Sequence, residues 1–137
     1  EAIIVEITET AMSLDERRVE SAMTTFHKGG MAIYLDDFGT GYSSLSRLKH
    51  MPINTLKIDK TFVDGVPEDK DNLSIVDATL KLAASLEIDA LAEGIETEVQ
   101  YHWFLSRNCR YAQGFYFSPP LPEDQLVALY RSRKDWR

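Results

Sequence analysis

The chain has 137 residues and a formal net charge of −7, with 44% hydrophobic and 27% charged residues. That length and balance suit one domain with a packed core and argue against disorder, no apolar run approaches the ~20 residues that span a bilayer, and the single cysteine, Cys109, excludes an internal disulfide and a cysteine-built metal site. The acidity excludes nonspecific tracking of a nucleic-acid polymer, which depends on neutralising phosphates, yet it accommodates an anionic nucleotide bridged by divalent cations.

Glu1, Glu6 and Glu9 at the start of the chain do not fit the layout of a signal peptide. Ile3-Ile4-Val5-Glu6-Ile7 is short, β-branched and apolar, the pattern of a buried parallel strand. Ser13 with Glu16 reads as a capping box. Val19, Ala22, Met23 and Phe26 follow at helical spacing, and Gly29-Gly30 ends the segment. Met31 to Leu35 is the second predicted strand. Residues 36–41 read as a loop, and Ser43 or Ser44 as the cap of a short helix carrying Leu45 and Leu48 and ended by Pro52. Thr55 to Ile58 is the third strand. After a polar stretch from Pro67 to Asn72, the longest helix runs near Leu73–Leu86. It carries two apolar stripes, one of Val76, Leu80 and Ala83 and one of Ile75, Ala78, Leu82 and Leu86, so it packs on more than one side. Ile88 to Ala92 is the fourth strand. Thr97 and Gln100 form a second capping-box pair ahead of a helix with Val99, Trp103 and Phe104. Tyr111-Ala112-Gln113 is a short fifth strand, and a last helix covers about Asp124–Ser132. Strands alternating with helices imply right-handed crossovers and a parallel sheet, an α/β fold.

The ionisable residues fall at one end of these strands. Glu6 is near the end of the first, Asp36 and Asp37 end the second, Lys57 and Asp59 the third; Glu93 and Glu96 follow the fourth and Gln113 lies in the fifth. Parallel strands bring their C-terminal ends to one face, so these groups converge. Such carboxylates need cations or protons to coexist, and oxygen ligands without His or Cys favour Mg²⁺, Mn²⁺ or Ca²⁺ over zinc. An adjacent Asp-Asp pair can serve two ions, the arrangement for in-line attack on a phosphate ester. A single acid after a strand is more often a helix cap or a solvated loop charge; four successive strands ending this way carry more weight, and the spacing alone leaves both readings open. Lys57 alternates with Leu56 and Ile58 and points opposite to them; it reads either as an edge-strand solubility charge or, as its place between apolar residues favours, as a group facing an enclosed side of the sheet. Trp103, Phe104, Phe115 and Phe117 read as core rather than as a base-stacking platform, Cys109 as a small buried residue, and the three histidines as structural.

Five segments resemble one known family, in order and over almost the whole chain. Glu6-Ile7-Thr8-Glu9-Thr10 is similar to the E-x-T-E segment of EAL domains. Residues 36–45, DDFGTGYSSL, match their D-D-F-G-T-G-Y-S-S-L loop throughout, and Leu56-Lys57-Ile58-Asp59 matches L-K-I-D. Residues 92–97, AEGIET, match A-E-G-[VI]-E-T, and Gln113-Gly114-Phe115 with residues 118–121, SPPL, match the closing Q-G-[YF] and S-x-P-L. The resemblance implies the C-terminal portion of a TIM-like (β/α) barrel, about five of eight parallel strands, whose complete form runs to roughly 250 residues. It implies hydrolysis of cyclic di-GMP to linear pGpG in bacterial signalling, with Mg²⁺ or Mn²⁺ at a two-metal site and Ca²⁺ inhibitory. Glu6, Asp36, Asp37 and Glu93 would be metal ligands. Lys57 would orient the attacking water and the phosphate, and Glu93 would help to deprotonate that water. Asp59, Gln113, Glu9, Glu96 and Thr40 would support the site or hold substrate, Glu9 by tethering the Asp-Asp loop and Glu96 by bracing the strand end that carries Glu93.

The resemblance further implies a homodimer through the long helix and the helix after the Asp-Asp loop. It implies a location in the cytoplasm, or on the cytoplasmic face of a membrane-anchored parent protein, and leaves room for attached sensor or cyclase domains. The family's Glu-Ala-Leu signature and an Asn ligand on the next strand would lie upstream of Glu6; Glu1-Ala2-Ile3 resembles the signature in letters only. The alternative is a catalytically inactive module that binds cyclic di-GMP or a protein. Asn108-Cys109-Arg110 stands where the family has Gly-Cys-Asp, and Asn108 is expected in the left-handed conformation that Asn tolerates.

Overall fold

A computed structural model describes residues 3–39 and 48–132. Its order is β1 (Ile4–Thr8), α1 (Glu9–Leu14), α2 (Glu16–Lys28), β2 (Ala32–Phe38), β3 (Thr55–Ile58), α3 (Lys60–Val63), α4 (Lys70–Ser85), β4 (Asp89–Ala92), α5 (Glu98–Ser106), β5 (Tyr111–Ala112) and α6 (Glu123–Arg131). The five strands form one parallel sheet in the order β1-β2-β3-β4-β5. Each crossover thus steps to the next strand in the same direction, the winding of a TIM-like barrel. Helix α2 packs on β2, and α4 on β3 and β4. Ile33, Leu35, Leu56, Ile58 and Ala92 from the strands meet Met23, Val63, Val76 and Phe104 from the helices in the core, each almost fully buried.

The strands stand where β-branched and apolar runs place them, with one correction to their extent: residues 36–38 of the expected 36–41 loop belong to β2, because Asp36 pairs with Thr8 and Phe38 with Ile58. The expectation of a buried first strand is corrected: Ile3 and Ile4 are 60% and 47% exposed, because β1 lies at the edge of the described sheet and pairs with β2 alone. The first helical region is two helices, not one begun by Ser13. Thr8 caps α1 by accepting from the Ala11 N–H, and Asp15 caps α2 by accepting from the Arg18 N–H. Ser13 lies inside α1, so the expected Ser13–Glu16 start does not form. The longest helix starts earlier than expected, since Asp69 accepts from the Asp71 and Asn72 N–H groups and draws the polar residues 70–72 into its first turn. Val76 and Ala83 of the first stripe are buried; the second stripe divides, with Leu82 and Leu86 packed against the core and Ile75 and Ala78 exposed. Four-residue α3 went unforeseen; it is too short to show a helical period. The Thr97–Gln100 capping box forms in full, and Asn108 has φ 58°. Leu48 lies at the end of a helical turn, whereas the caps expected at Ser43 or Ser44, and Leu45, fall outside the described residues.

Candidate active site

Three strands deliver carboxylates to one lysine. The Lys57 Nζ lies 3.0 Å from Glu6 Oε1, 2.9 Å from Asp36 Oδ1 and 2.8 Å from Glu93 Oε1, and its side chain is only 4% exposed. Alternation along β3 explains the placement: Leu56 and Ile58 enter the core, which turns Lys57 to the opposite face. Burial alone would lower the lysine's pKa, but its hydrogen bonds to Glu93, Asp36 and Glu6 outweigh that and hold it above its ordinary value. The sheet ladder runs on past the strand ends, with the Glu93 N–H donating to Ile58 O (3.1 Å) and the Gln113 N–H to Ala92 O (2.9 Å). These bonds bring the Gln113 amide to 2.7 Å from Glu93 Oε1, to which it donates. Burial raises the pKa of Glu93; Lys57 opposes that rise, and the charges of Asp36 and Glu6 add to it.

Asp36 and Asp37 sit where the pairing of β2 with β3 slips between Leu35 and Phe38. Such a bulge turns successive side chains out of the regular alternation. Asp37 takes φ 56° and donates its N–H to Asp36 Oδ1 at 3.0 Å. Its carboxyl is raised above the ordinary range by burial, then by the charges of Asp36 and Asp59, and it shares a hydrogen bond with Asp59. Asp59 is held low, first by the Thr61 hydroxyl, 2.5 Å away, and it also accepts the Thr61 N–H at 2.8 Å as the cap of α3. Buried Glu9 accepts the Gly39 N–H at 3.1 Å and so fastens the segment that follows the Asp-Asp pair.

The sequence-predicted residues therefore fall into groups. Glu6, Asp36, Lys57, Glu93 and Gln113 meet directly; Asp37 and Asp59 form an adjoining pair; Glu9 acts through Gly39. Glu96 does not join Lys57 and instead bonds the Lys60 ammonium, which also lies 3.2 Å from Asp64. Thr40 lies outside the described residues. Sequence reasoning missed Lys60 and Thr61, which belong to the unforeseen α3. It also assigned Phe115 to the core, which the structure corrects: Phe115 is 65% exposed and lines a cleft of about 650 Å³ with Lys60, Glu96, Gln113, Pro119 and Leu126. Gly114 explains the outward turn, because its backbone lies flat on Ile95 and carries the next side chain past that contact. Phe104 is core as expected, and Trp103 and Phe117 pack against it in part.

Among the described residues no three Asp, Glu, His or Cys side chains form a closed metal cage by themselves; the ammonium of Lys57 gathers the three carboxylates. The donor set still suits a hard divalent cation. It is all oxygen, three carboxylates face one ammonium, and Glu93 and Asp37 are both inclined to hold protons that a cation would replace.

Known proteins resemble this chain over most of its length. The family model of the EAL domain matches residues 1–120. An uncharacterized Mycobacterium tuberculosis protein, Rv1354c, is 38% identical over 97% of the chain, which spans 21% of that relative. The Pseudomonas aeruginosa bifunctional diguanylate cyclase/cyclic di-GMP phosphodiesterase MucR is 38% identical over 92% of the chain, which spans 18% of it. The chain thus spans about a fifth of the length of the curated relatives it matches. Among solved structures, the MucR phosphodiesterase in complex with cyclic di-GMP superposes with a TM-score of 0.85 at 38% identity, covering 90% of this chain and 50% of that one. The EAL domain of Mycobacterium smegmatis DcpA gives 0.85 at 38% identity, covering 96% and 60%. A manganese and cyclic di-GMP complex of Klebsiella pneumoniae BlrP1 gives 0.77 at 32% identity, covering 85% and 30%. With the fold, the motif order and the family match in agreement, this chain belongs to the EAL domain family.

Proposed function

We propose that the chain supplies the C-terminal five strands of an EAL barrel and, within it, most of the machinery that hydrolyses cyclic di-GMP to linear pGpG. The observation that carries this reading is the junction at Lys57, where side chains from three strand ends meet one buried ammonium. The cyclic di-GMP complexes of MucR and BlrP1, and the manganese in the latter, support the choice of substrate and of cation.

Glu6, Asp36, Asp37 and Glu93 would hold Mg²⁺ or Mn²⁺ as a pair, which supplies Lewis acidity toward the phosphodiester and a lowered pKa for the attacking water. With cations taking over carboxylates that occupy its three donors here, Lys57 would be freed to donate to a phosphate oxygen and orient that water. Glu93, whose pKa is raised by burial, accepts the water's proton, since a base is most useful when its pKa approaches the working pH. The Gln113 amide fixes the carboxylate oxygen of Glu93 that faces Lys57. Glu9 holds the Asp-Asp segment through Gly39. Ca²⁺ would be held by the same residues, and inhibition by it is part of this proposal, since it accepts looser coordination than Mg²⁺. The exposed Ile75 and Ala78 of α4 support a homodimer, and the share of the relatives left unmatched accommodates attached sensor or cyclase domains.

The test is nucleotide turnover by this chain and by its parent protein with Mn²⁺, Mg²⁺, Ca²⁺ and no metal. Formation of pGpG only with Mn²⁺ or Mg²⁺, lost in Asp36→Asn, is the expected result. Tight cyclic di-GMP binding with no turnover under any metal would replace the enzyme with a receptor.

A further inference from the structure

Lys60 is the first residue of α3 and directly follows Asp59. Its stem lies across the backbone of Gly94: a Cβ built there would stand 2.5 Å from Lys60 Cγ and 2.8 Å from Cδ. Gly94 has φ 71° and is the next residue after Glu93. Beyond it the Lys60 ammonium bonds Glu96, 36 residues away, and Asp64 one turn along its own helix. The lysine therefore crosses the β4–α5 loop from one side to the other, covering the peptide after Glu93 and fastening the loop's far end.

A second tie lies beneath the first. Buried Gln100 accepts the Glu96 and Thr97 N–H groups at 2.9 and 3.1 Å and donates to Val63 O at 3.1 Å. Both ties run between α3 and the loop that carries Glu93. The buried one anchors the base of the loop, and the Lys60 strap, about half exposed, governs its upper surface next to the site.

Resting on the function proposed above, we infer that Lys60 is a positioning residue for Glu93, acting through Gly94 and Glu96 and without touching the reacting atoms. An exposed ion pair adds little to fold stability, so its loss shows in the placement of Glu93 before it shows in unfolding. Groups that orient ligand carboxylates are typically worth 10–100-fold in activity or metal affinity.

The experiment compares Lys60→Met, which keeps the stem and removes the ammonium, with Glu96→Gln, the double variant and Lys60→Arg in the full chain and its parent. Lys60→Met and Glu96→Gln are expected to lower kcat by about tenfold with KM for cyclic di-GMP within about twofold, the double variant to match the single ones, and Lys60→Arg to restore turnover. Hydrogen–deuterium exchange at residues 93–97 is expected to quicken in Lys60→Met while the core strands stay protected. A raised KM with kcat intact would make Lys60 a substrate-cleft residue and overturn the inference, as would unchanged exchange at 93–97. If the unaltered protein shows no turnover, the phosphodiesterase reading fails by itself, and exchange still decides whether the strap positions the loop.

Discussion

A lysine as buried as Lys57 keeps its charge only while carboxylates face it, and those carboxylates stay together only while a cation stands among them. The same reciprocity sets the response to acid. Glu93 and Asp37 have pKa values raised by burial, so each takes up its proton at a higher pH than an ordinary carboxyl. A divalent cation bound as proposed would compete with that proton. Mn²⁺ affinity is therefore expected to fall on acidification from a pH above 4.5, the ordinary value for Glu, and titration calorimetry between pH 8 and 5 reads the decline directly. Asp59 shifts the other way. Its Thr61 contacts depress it below 3.8, so its contribution to folding is complete above that pH and is lost only as pH drops through the depressed value. Asp59→Ala removes the cap of α3 and is expected to cost about 1 kcal/mol by denaturant unfolding at neutral pH, with the gap to the unaltered protein closing below pH 3.8. The orientation of Lys57 was legible from its apolar neighbours in β3. The sharing of a hydrogen bond between Asp37 and Asp59 was not, because it depends on a slip in strand pairing that leaves no mark in residue pattern. Cys109 read correctly as a buried residue, and burial pushes its thiol up to about 11.

At the scale of elements, the loops after the strands place the chemistry, and the one after β5 is held by close backbone contact. Gly114 follows Gln113, and a Cβ there would stand 2.1 Å from Ile95 O and 2.3 Å from Ile95 N. Backbone cannot yield to that contact as a flexible side chain can. Gly114→Ala is expected to cost about 1–3 kcal/mol and to move Gln113 away from Glu93, so turnover falls together with the denaturation midpoint. Strand positions were readable because β-branched runs are bounded by polar residues, and α5 because Thr97 and Gln100 announce its start. Helix α3 was hidden for a physical reason: four residues holding Phe62 and Val63 as their only apolar members give no period to detect. Since Lys60 and Thr61 lie in that helix, the supports of the site were less legible than its charged centre. Phe115 was misplaced for a related reason, as an aromatic side chain's destination depends on the turn before it.

For the whole molecule, the apolar residues that α4 leaves exposed matter most. Val76 and Ala83 complete the core, and Ile75 is 37% exposed beside them. Ile75→Glu places a charge where the proposed dimer would exclude water; light scattering at micromolar concentration is expected to show a dimer for the unaltered protein and a monomer for this variant, with the thermal midpoint of the monomeric fold little changed. A dimer that persists in Ile75→Glu would move the interface off this helix. Spatial and sequential order also coincide across the sheet, from β1 to β5. During synthesis the ribosome releases Glu6 first, then Asp36, then Lys57, then Glu93 and finally Gln113. The first two acids are thus waiting when their lysine emerges, and each later strand adds one group to a partly neutralised cluster. Each pairing joins strands a whole crossover apart in sequence, which makes closure slow, yet the charged centre can still grow strand by strand with the chain.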